Sequence, residues 1–215
     1  MTTADKGRAG PEVGTGYPPA PWRMRGELWG GFFAAAAAPV LPGDVSPLAS
    51  RSLVALLIRY REGTLSYDEF ILGSLVRRGR RAGVYVHVIR VDDSQAMWGG
   101  RRIWGVPKEH AEFDWSGSQV RITDEQGPLA TLTTTSGGLR LPALPMPLAG
   151  FGALDGTRTF FSARFRTRTA TATMSADEWS VRLPALRRSS AYCCFSGAPF
   201  TISLPAPVLL QGRSA

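Results

Sequence analysis

Hydrophobic and polar positions follow a strand-like pattern along most of the chain. Residues 53–58 form an unbroken apolar run of the length of a buried strand, and residues 84–91 are dense in β-branched side chains, which pack well on a pleated surface. Residues 164–171 alternate arginine with apolar or threonine side chains, a period of two that leaves one face in water. This pattern predicts a fold built mainly from β-strands.

Turn residues divide the rest of the chain into further predicted strands. Residues 111–115, 119–124 and 129–134 are separated by Gly-containing turns at 116–118 and 126–128, which predicts a β-meander. Residues 142–152 are rich in proline, glycine and leucine and are predicted to form a loop. Short strands are expected at residues 191–195 and 200–204.

Helix signals are few. The Asp92-Asp93-Ser94 cluster is typical of a helix N-cap, and Gly99-Gly100 follows shortly after it, which predicts one short helix between them. The five alanines at residues 34–38 favour helix, but Gly30-Gly31 and Pro39 leave so little room that a strand remains possible. Residues 67–78 fit either a helix or a strand.

Length and composition place the chain among ordinary globular proteins. It has 215 residues, 44% hydrophobic and 20% charged, which is enough for one domain with its own core. We expect a flexible tail over residues 1–16 and a single domain over residues 17–215. The longest apolar run, residues 32–41, is shorter than the roughly 20 residues that span a bilayer. With no signal-like N-terminus, we expect no membrane association and a cytoplasmic location.

Metal-binding and disulfide-forming residues are scarce. Cys193 and Cys194 are adjacent, and neighbouring cysteines do not easily reach disulfide geometry. The chain has no Cys-x-x-Cys motif and only two histidines, His87 and His110, so we expect no metal and no other cofactor. His87 lies in the β-branched strand and is expected to be half-buried packing rather than catalytic.

The basic residues are almost all arginine. Of 25 basic residues only Lys6 and Lys108 are lysine, and Lys6 lies in the expected tail. Lysine differs from arginine because its amine can lose a proton and act as a nucleophile. Lys108 is therefore a candidate catalytic residue, although it could also be an ordinary surface ammonium group.

The segment around Lys108 resembles a known signature. Gly99-Gly100-Arg101-Arg102-Ile103-Trp104-Gly105-Val106-Pro107-Lys108-Glu109 is similar to the motif of the acetoacetate decarboxylase family, a Gly-Arg pair, an aromatic residue, glycine and then Pro-Lys. The Tyr-Pro-Pro-Ala-Pro-Trp stretch at residues 17–22, residues 60–69 and residues 91–93 look like small actinobacterial-type members of that superfamily. The resemblance runs from about residue 17 to residue 204.

This resemblance implies a fold and a chemistry. The fold is a single α+β, predominantly β domain, an antiparallel β-cone or barrel-like sheet with a few short helices and a central pocket, usually assembled into homo-oligomers. The lysine after proline, here Lys108, is the family's Schiff-base nucleophile in a lyase reaction. To be neutral near pH 7, such an amine needs a pKa well below the ordinary value of about 10.4, and activity would then rise with pH.

The sequence also departs from the family pattern. A second lysine follows the first in the decarboxylase, whereas here Glu109 occupies that position. Of the family's two pocket carboxylates, the later aligns with Glu69 and the earlier falls on Val54. The arginine that meets a substrate carboxylate has no clean equivalent, Arg25 being the nearest candidate together with Arg23.

These departures imply a more apolar site. We expect Lys108 to form an imine with a β-keto acid or a hydrophobic, polyketide-like carbonyl compound, and Glu69 to shuttle protons. The iminium could support decarboxylation or aldol, dehydration or cyclisation chemistry. Trp98 and Trp104 are expected to wall the cavity, and Glu109 and His110 to contribute to substrate binding beside it. His110 could relay protons or face solvent.

Two other functions compete with this hypothesis. The chain could be a non-covalent natural-product cyclase or ligand-binding protein in which Lys108 is only a cation. A net charge of +8, the arginines of residues 77–81 and the alternating Arg164, Arg166 and Arg168 could instead bind nucleic acid. Because arginine is scattered and no recognition motif is present, we favour a small-molecule carbonyl substrate over a nucleic-acid partner.

Overall fold

The computed structural model describes residues 16–140 and 144–210, and its strands form one sheet. Residues 1–15 of the expected tail lie outside this described part, as do residues 141–143. The strands are, in chain order, β1 (Trp22–Ala34), β2 (Ser46–Pro47), β3 (Ser52–Gly63), β4 (Tyr67–Arg78), β5 (Arg81–Val91), β6 (Lys108–His110), β7 (Glu112–Ser116), β8 (Gln119–Asp124), β9 (Gly127–Arg140), β10 (Leu144–Leu154), β11 (Thr157–Trp179), β12 (Cys193–Leu204) and β13 (Val208–Leu210).

The sheet partly closes into a ring. Its strand order is β10-β5-β4-β3-β1-β12-β11, and β11 pairs again with β10 along the whole length of that strand. The seam between β10 and β5 is short and parallel, with Gly150 opposite Val84 and Phe151 opposite Tyr85. Beyond the ring, β9, β8 and β7 extend the sheet from the far end of β11. The ring encloses the interior in which the candidate site lies.

Strand β3 explains why the sequence contains an unbroken apolar run. Its residues Val54, Leu56, Ile58 and Tyr60 belong to the core inside the ring. The alternate residues, among them Leu53 and Leu57, pack into a second core between the outer face of the ring and the β7–β9 meander. Because successive side chains of a strand point to opposite faces, a strand covered on both sides is apolar at every position.

The structure confirms the predominantly β fold class and resolves its ambiguous segments. Of the five alanines only the first, Ala34, lies in strand β1, and none of them is helical. Residues 67–78 are strand β4. The predicted meander is present as β7, β8 and β9. The sheet is mixed rather than wholly antiparallel, because β5 pairs in parallel with both β10 and β6.

Two predictions of local structure were wrong. The predicted loop at residues 142–152 is strand β10 from Leu144 onward, while residues 142 and 143 lie outside the described part. Pro145 and Pro147 pair with β11 along one edge of β10. The opposite edge pairs with β5 only at residues 150–151, so where the prolines lie it forms no backbone hydrogen bonds with a second strand. The two short strands expected near the end are one continuous strand, β12.

The short helix α1 (Ser94–Gly99) begins as predicted. Asp93 is its N-cap, and the Asp93 carboxylate accepts a hydrogen bond of 2.6 Å from the backbone N–H of Ala96. Helix α1 ends at Gly99, as predicted, with Gly100 as its C-cap residue. The chain continues as a π-helical turn over Gly100–Trp104, which ends at Gly105 in the left-handed conformation, with φ of 69°. None of the helices in the described ranges is long and apolar enough to cross a membrane.

We expect the substitution Gly105→Ala to destabilise the fold. A Cβ at this position would lie 2.2 Å from the carbonyl oxygen of Ala153, and the left-handed backbone adds about 1–2 kcal/mol for any residue with a side chain. Gly117→Ala is the matched control, since its φ is 59° but a Cβ there meets nothing within 4 Å. Urea unfolding should show a clearly larger loss for Gly105→Ala, and equal losses would contradict the steric argument.

Candidate active site

Lys108 lies inside the ring. Strand β6 pairs in parallel with β5, which sets Lys108 opposite Ile89, and the lysine is only 5% exposed. The backbone carbonyl of Lys108 accepts a hydrogen bond from the Arg101 side chain, which fixes this short strand to the π-helical turn. Gly100 makes room for the lysine stem, because a Cβ there would lie 2.4 Å from Lys108 Cδ.

The lysine ends against Glu69. Lys108 Nζ lies 2.5 Å from Glu69 Oε2, and the glutamate is 3% exposed. This contact is an ion pair, and no other group of the described residues forms a hydrogen bond with Oε2. The other carboxylate oxygen, Oε1, accepts a hydrogen bond of 3.4 Å from the Tyr60 hydroxyl. One oxygen of Glu69 is thus occupied by the lysine alone, in a position to exchange a proton with it.

Two buried tyrosines complete this polar cluster. Lys108 Nζ donates a hydrogen bond of 3.3 Å to the Tyr67 hydroxyl and lies 4.9 Å from the centre of the Tyr67 ring. Tyr60 packs on Tyr67 with ring centres 4.6 Å apart. Burial, and then the neighbouring Glu69 carboxylate, raises the pKa of both phenols well above the usual 10.0. Both hydroxyls therefore stay protonated and can donate hydrogen bonds.

The cluster forms one end of an apolar cavity of about 80 Å³. Lys108 and Glu69 are the charged side chains among its described lining residues, and Tyr60 and Tyr67 supply the hydroxyl groups. The remaining wall is aliphatic and aromatic, and includes Leu56, Ile58, Ile71, Val86, Ile89 and Phe161. A charged pair surrounded by such a wall is poorly screened, so its electrostatic interactions are stronger than at the protein surface.

A pair of tryptophans closes the cavity on one side. Trp22 and Trp104 meet edge to face with ring centres 4.7 Å apart, and each indole N–H donates a hydrogen bond of 2.8 Å to a backbone carbonyl, of Pro18 and Pro205 respectively. Lys108 Nζ lies 5.9 Å from the Trp22 ring. Gly99 leaves space for this ring, because a Cβ there would approach its Cζ2 atom to 2.4 Å.

The structure brings together some of the candidate residues from the sequence and separates others. Lys108, Glu69 and Trp104 line the same cavity. Arg25 does not, because it lies on the outer face of β1, where its 57% exposed side chain pairs with Glu62 at 3.4 Å. Trp98 is outside the cavity lining and stacks with Arg101 instead.

The two residues after Lys108 also turn away from the cavity. Glu109 is exposed, and its carboxylate forms an ion pair of 2.7 Å with Arg90 rather than with Lys108. His110 is exposed and does not line the cavity, which matches the solvent-facing alternative. The expectation that Glu109 and His110 contribute to substrate binding therefore has no support in the placement of their side chains.

Sequence reasoning missed Trp22, Tyr60 and Tyr67. Tyr67 could have been found, since it lies two residues before Glu69 and a strand puts both on one face. Tyr60 lies opposite Tyr67 in the β3–β4 hairpin, a register that the sequence does not define. Trp22 belongs to the 17–22 stretch that carries the family resemblance, but it reaches the site through the packing of β1 against Gly99 of α1, which the sequence pattern does not predict.

The remaining candidate ligands do not form a metal site. In the ranges that the structure describes, no group of three or more His, Cys, Asp or Glu side chains could hold a metal ion. Cys193 and Cys194 are both free thiols. His87 is half-buried as expected, forms a hydrogen bond of 2.9 Å with Ser74, and has its pKa lowered by burial.

Comparison with known families agrees with this geometry. The family model described as acetoacetate decarboxylase (ADC) matches residues 32–178, which is more than half of the chain and includes both Lys108 and Glu69. The chain belongs to the acetoacetate decarboxylase family. A search of functionally curated proteins gave no significant match.

Solved structures of the family share the fold at low sequence identity. Acetoacetate decarboxylase from Legionella pneumophila is 16% identical, with a TM-score of 0.72 over 98% of this chain and 95% of that one. The enduracididine biosynthesis enzyme MppR is 18% identical, with a TM-score of 0.65 over the full length of both chains. An acetoacetate decarboxylase-like enzyme from Sphingomonas wittichii RW1 is 13% identical, with a TM-score of 0.63 over 90% and 94% of the two chains. At these identities the likeness establishes the acetoacetate decarboxylase fold and leaves the reaction open.

We expect two of the five tyrosines to titrate anomalously late. With the pKa of Tyr60 and Tyr67 raised in the folded state, the unfolded chain ionises first, so the folded protein should lose stability as the pH rises above about 10. Alkaline titration of tyrosinate absorbance should show two phenols that ionise only near unfolding, and Tyr60→Phe and Tyr67→Phe should each remove one. Five ordinary titrations would contradict the buried hydroxyl cluster.

Proposed function

We propose that this protein is a lysine Schiff-base enzyme that acts on an apolar carbonyl compound. The observation that carries the proposal is the 2.5 Å contact between Lys108 Nζ and Glu69 Oε2, buried in an otherwise apolar cavity. A buried lysine beside a single carboxylate combines a nucleophile with the acid–base group that its chemistry needs. We further expect a homo-oligomer in the cytoplasm, as predicted from the sequence.

The first step is formation of the imine. Glu69 takes a proton from the Lys108 ammonium group, and the neutral amine adds to the carbonyl carbon to give a carbinolamine. Glu69 then returns the proton to the hydroxyl group, which leaves as water, and a cationic iminium remains. Tyr67, which already contacts Nζ, is within reach to donate a hydrogen bond to the oxygen as charge develops on it.

The iminium then withdraws electrons from the adjacent carbon. If a carboxylate is attached there, the C–C bond breaks, carbon dioxide leaves and an enamine forms. If a hydrogen is attached, Glu69 removes it as a proton and gives the same kind of enamine, which can add to a second carbonyl group. Both routes use Lys108 as the electron sink and Glu69 as the proton carrier.

The charges around the site favour the second route. Apart from Lys108 itself, no cationic side chain lies among the described residues of the cavity wall, so a substrate carboxylate would meet the Glu69 carboxylate without a partner. MppR, which shares the fold, has been solved with the condensation product of pyruvate and imidazole 4-carboxaldehyde. Enolisation, aldol addition and dehydration of a neutral ketone or aldehyde are therefore the reactions that we favour over decarboxylation.

A second function, non-covalent binding or cyclisation of a ligand, rests on the same cavity. In that case Lys108 acts only as a buried cation, with the centres of the Tyr67 and Trp22 rings 4.9 Å and 5.9 Å from Nζ. The two functions differ in whether a covalent bond forms at Nζ.

We expect borohydride to trap a ketone on Lys108. Incubation with apolar methyl ketones followed by reduction should add one ketone-derived alkyl group to the intact mass, and peptide mapping should locate it at Lys108. Lys108→Arg should abolish the adduct because a guanidinium does not form the imine, whereas Lys6→Arg, which removes the other lysine of the chain, should retain it.

Failure of every apolar ketone to give an adduct, while the same ketones bind, would contradict Schiff-base chemistry. Retention of catalytic turnover in Lys108→Arg would favour the non-covalent alternative.

We expect Glu69→Gln to lower turnover by about 10²–10⁴-fold, because the amide cannot carry the proton that each step requires. The rate of proton–deuterium exchange at the carbon next to the ketone, followed by NMR, measures this step directly. Glu62→Gln is the control, since Glu62 is an exposed carboxylate on the outer face and should leave the exchange rate unchanged. An unaltered rate in Glu69→Gln would assign the proton transfers to another group.

A further inference from the structure

A second cavity adjoins the one that holds Lys108. It has a volume of about 420 Å³ and lies inside the ring, with residues from all seven ring strands in its wall. The two cavities share six wall residues, which are Leu56, Ile58, Tyr60, Val84, Leu148 and Ile202. With so much wall in common, the two spaces are neighbouring chambers of one interior, and we call them the head chamber, beside Lys108, and the tail chamber.

The head chamber alone is too small for a sizeable substrate. Its volume of about 80 Å³ lies far below the roughly 300–1,000 Å³ that is typical of ligand pockets. A carbonyl group with one small substituent on either side fills that space. Any larger part of a molecule bonded to Lys108 has to extend elsewhere, and the adjoining space is the tail chamber.

The wall of the tail chamber is almost entirely apolar. Four phenylalanines, Phe32, Phe165, Phe195 and Phe200, line it together with aliphatic side chains, and the polar groups in its described wall are limited to the Tyr60 hydroxyl and Thr169. No charged side chain is among its described lining residues. A charged or strongly polar group would lose its hydration in this chamber at a large cost in free energy, whereas a hydrocarbon group binds favourably there.

The volume of the tail chamber argues against a packing defect. Protein interiors have few voids larger than a water molecule, whereas this chamber falls within the range of roughly 300–1,000 Å³ that is typical of ligand pockets. Its walls come from strands on opposite sides of the ring, which are held apart by the strand pairing rather than by one another's side chains.

We propose that the tail chamber is a subsite for an uncharged hydrocarbon chain, alkyl or aryl, attached to the carbonyl group that reacts at Lys108. The substrate class is then an apolar ketone or aldehyde with a long tail. The assignment of the head group rests on the proposed function, but the tail subsite is a property of the chamber and can be measured without the imine.

Val54 is the position from which the tail chamber can be tested. It is buried, lines the tail chamber and is absent from the head chamber, so a larger side chain there shortens the space for the tail and leaves the lysine untouched. Leu28 lines the tail chamber in the same way from β1. Val54→Ala is the matched variant with the opposite expected effect, because its smaller side chain lengthens the space for the tail.

The experiment measures binding of a series of 2-alkanols, from 2-butanol to 2-undecanol, by isothermal titration calorimetry. These alcohols have no carbonyl group and cannot form an imine. We expect affinity to rise roughly fourfold with each added methylene group until the chamber is full and then to level off. Val54→Phe should move this plateau to shorter chains and Val54→Ala to longer ones, with Leu28→Phe as the second filling variant should Val54→Phe not fold.

The same variants are then compared in borohydride trapping of 2-butanone and 2-undecanone. Val54→Phe should reduce the yield with 2-undecanone at least tenfold more than the yield with 2-butanone. Affinity that is independent of chain length, or a plateau that none of the variants moves, would overturn the tail subsite even if both ketones are trapped. Chain-length-dependent affinity without any trapped ketone would retain the subsite and remove the Schiff-base chemistry.

Discussion

The burial of one ion pair inside a closed sheet is the constraint on which the rest of this structure depends. Lys108 and Glu69 are both almost fully enclosed, and their contact of 2.5 Å compensates for the water that each has lost. Removal of one partner from a buried pair typically costs about 3–5 kcal/mol, because the remaining charge has no partner. The ring of strands, the tryptophan pair and the stacked tyrosines all serve to keep the two groups together in an apolar space.

The ring also explains why the site is assembled from distant segments. Glu69 comes from β4, Lys108 from the short strand β6 and Trp22 from β1, and they meet because β4 and β6 flank β5 while α1 packs on β1. Within each segment the sequence provides only a local feature, which is either an inward-facing position on a strand or a glycine that makes room for a large side chain. Their meeting point is a property of the strand order.

Much of the fold and part of the site could be predicted from the sequence. The period-two pattern, the β-branched run and the turn glycines predicted most strands. The Pro-Lys motif directed attention to Lys108, and the alignment with the family's pocket carboxylate directed attention to Glu69. Strand β10 was mispredicted as a loop because its prolines disfavour a strand with two paired edges. The sequence does not reveal that near the prolines β10 pairs with β11 alone. Arg25 was proposed from the family resemblance, but strand alternation turns its side chain outward. Glu109 was proposed because it follows Lys108, but Arg90 draws its carboxylate away.

The glycine pair at the end of helix α1 has a consequence for how variation can accumulate in this sequence. Gly99 leaves the space that the Trp22 ring fills, and Gly100 leaves the space that the Lys108 stem fills. Side chains from elsewhere in the chain therefore occupy the volume that a larger residue at either position would need. Every missense change of a glycine codon adds at least one carbon atom there. Tolerance at these positions is therefore set by the volume of a partner side chain, and a member of the family with a larger residue in place of Gly100 has to reroute its lysine or do without it.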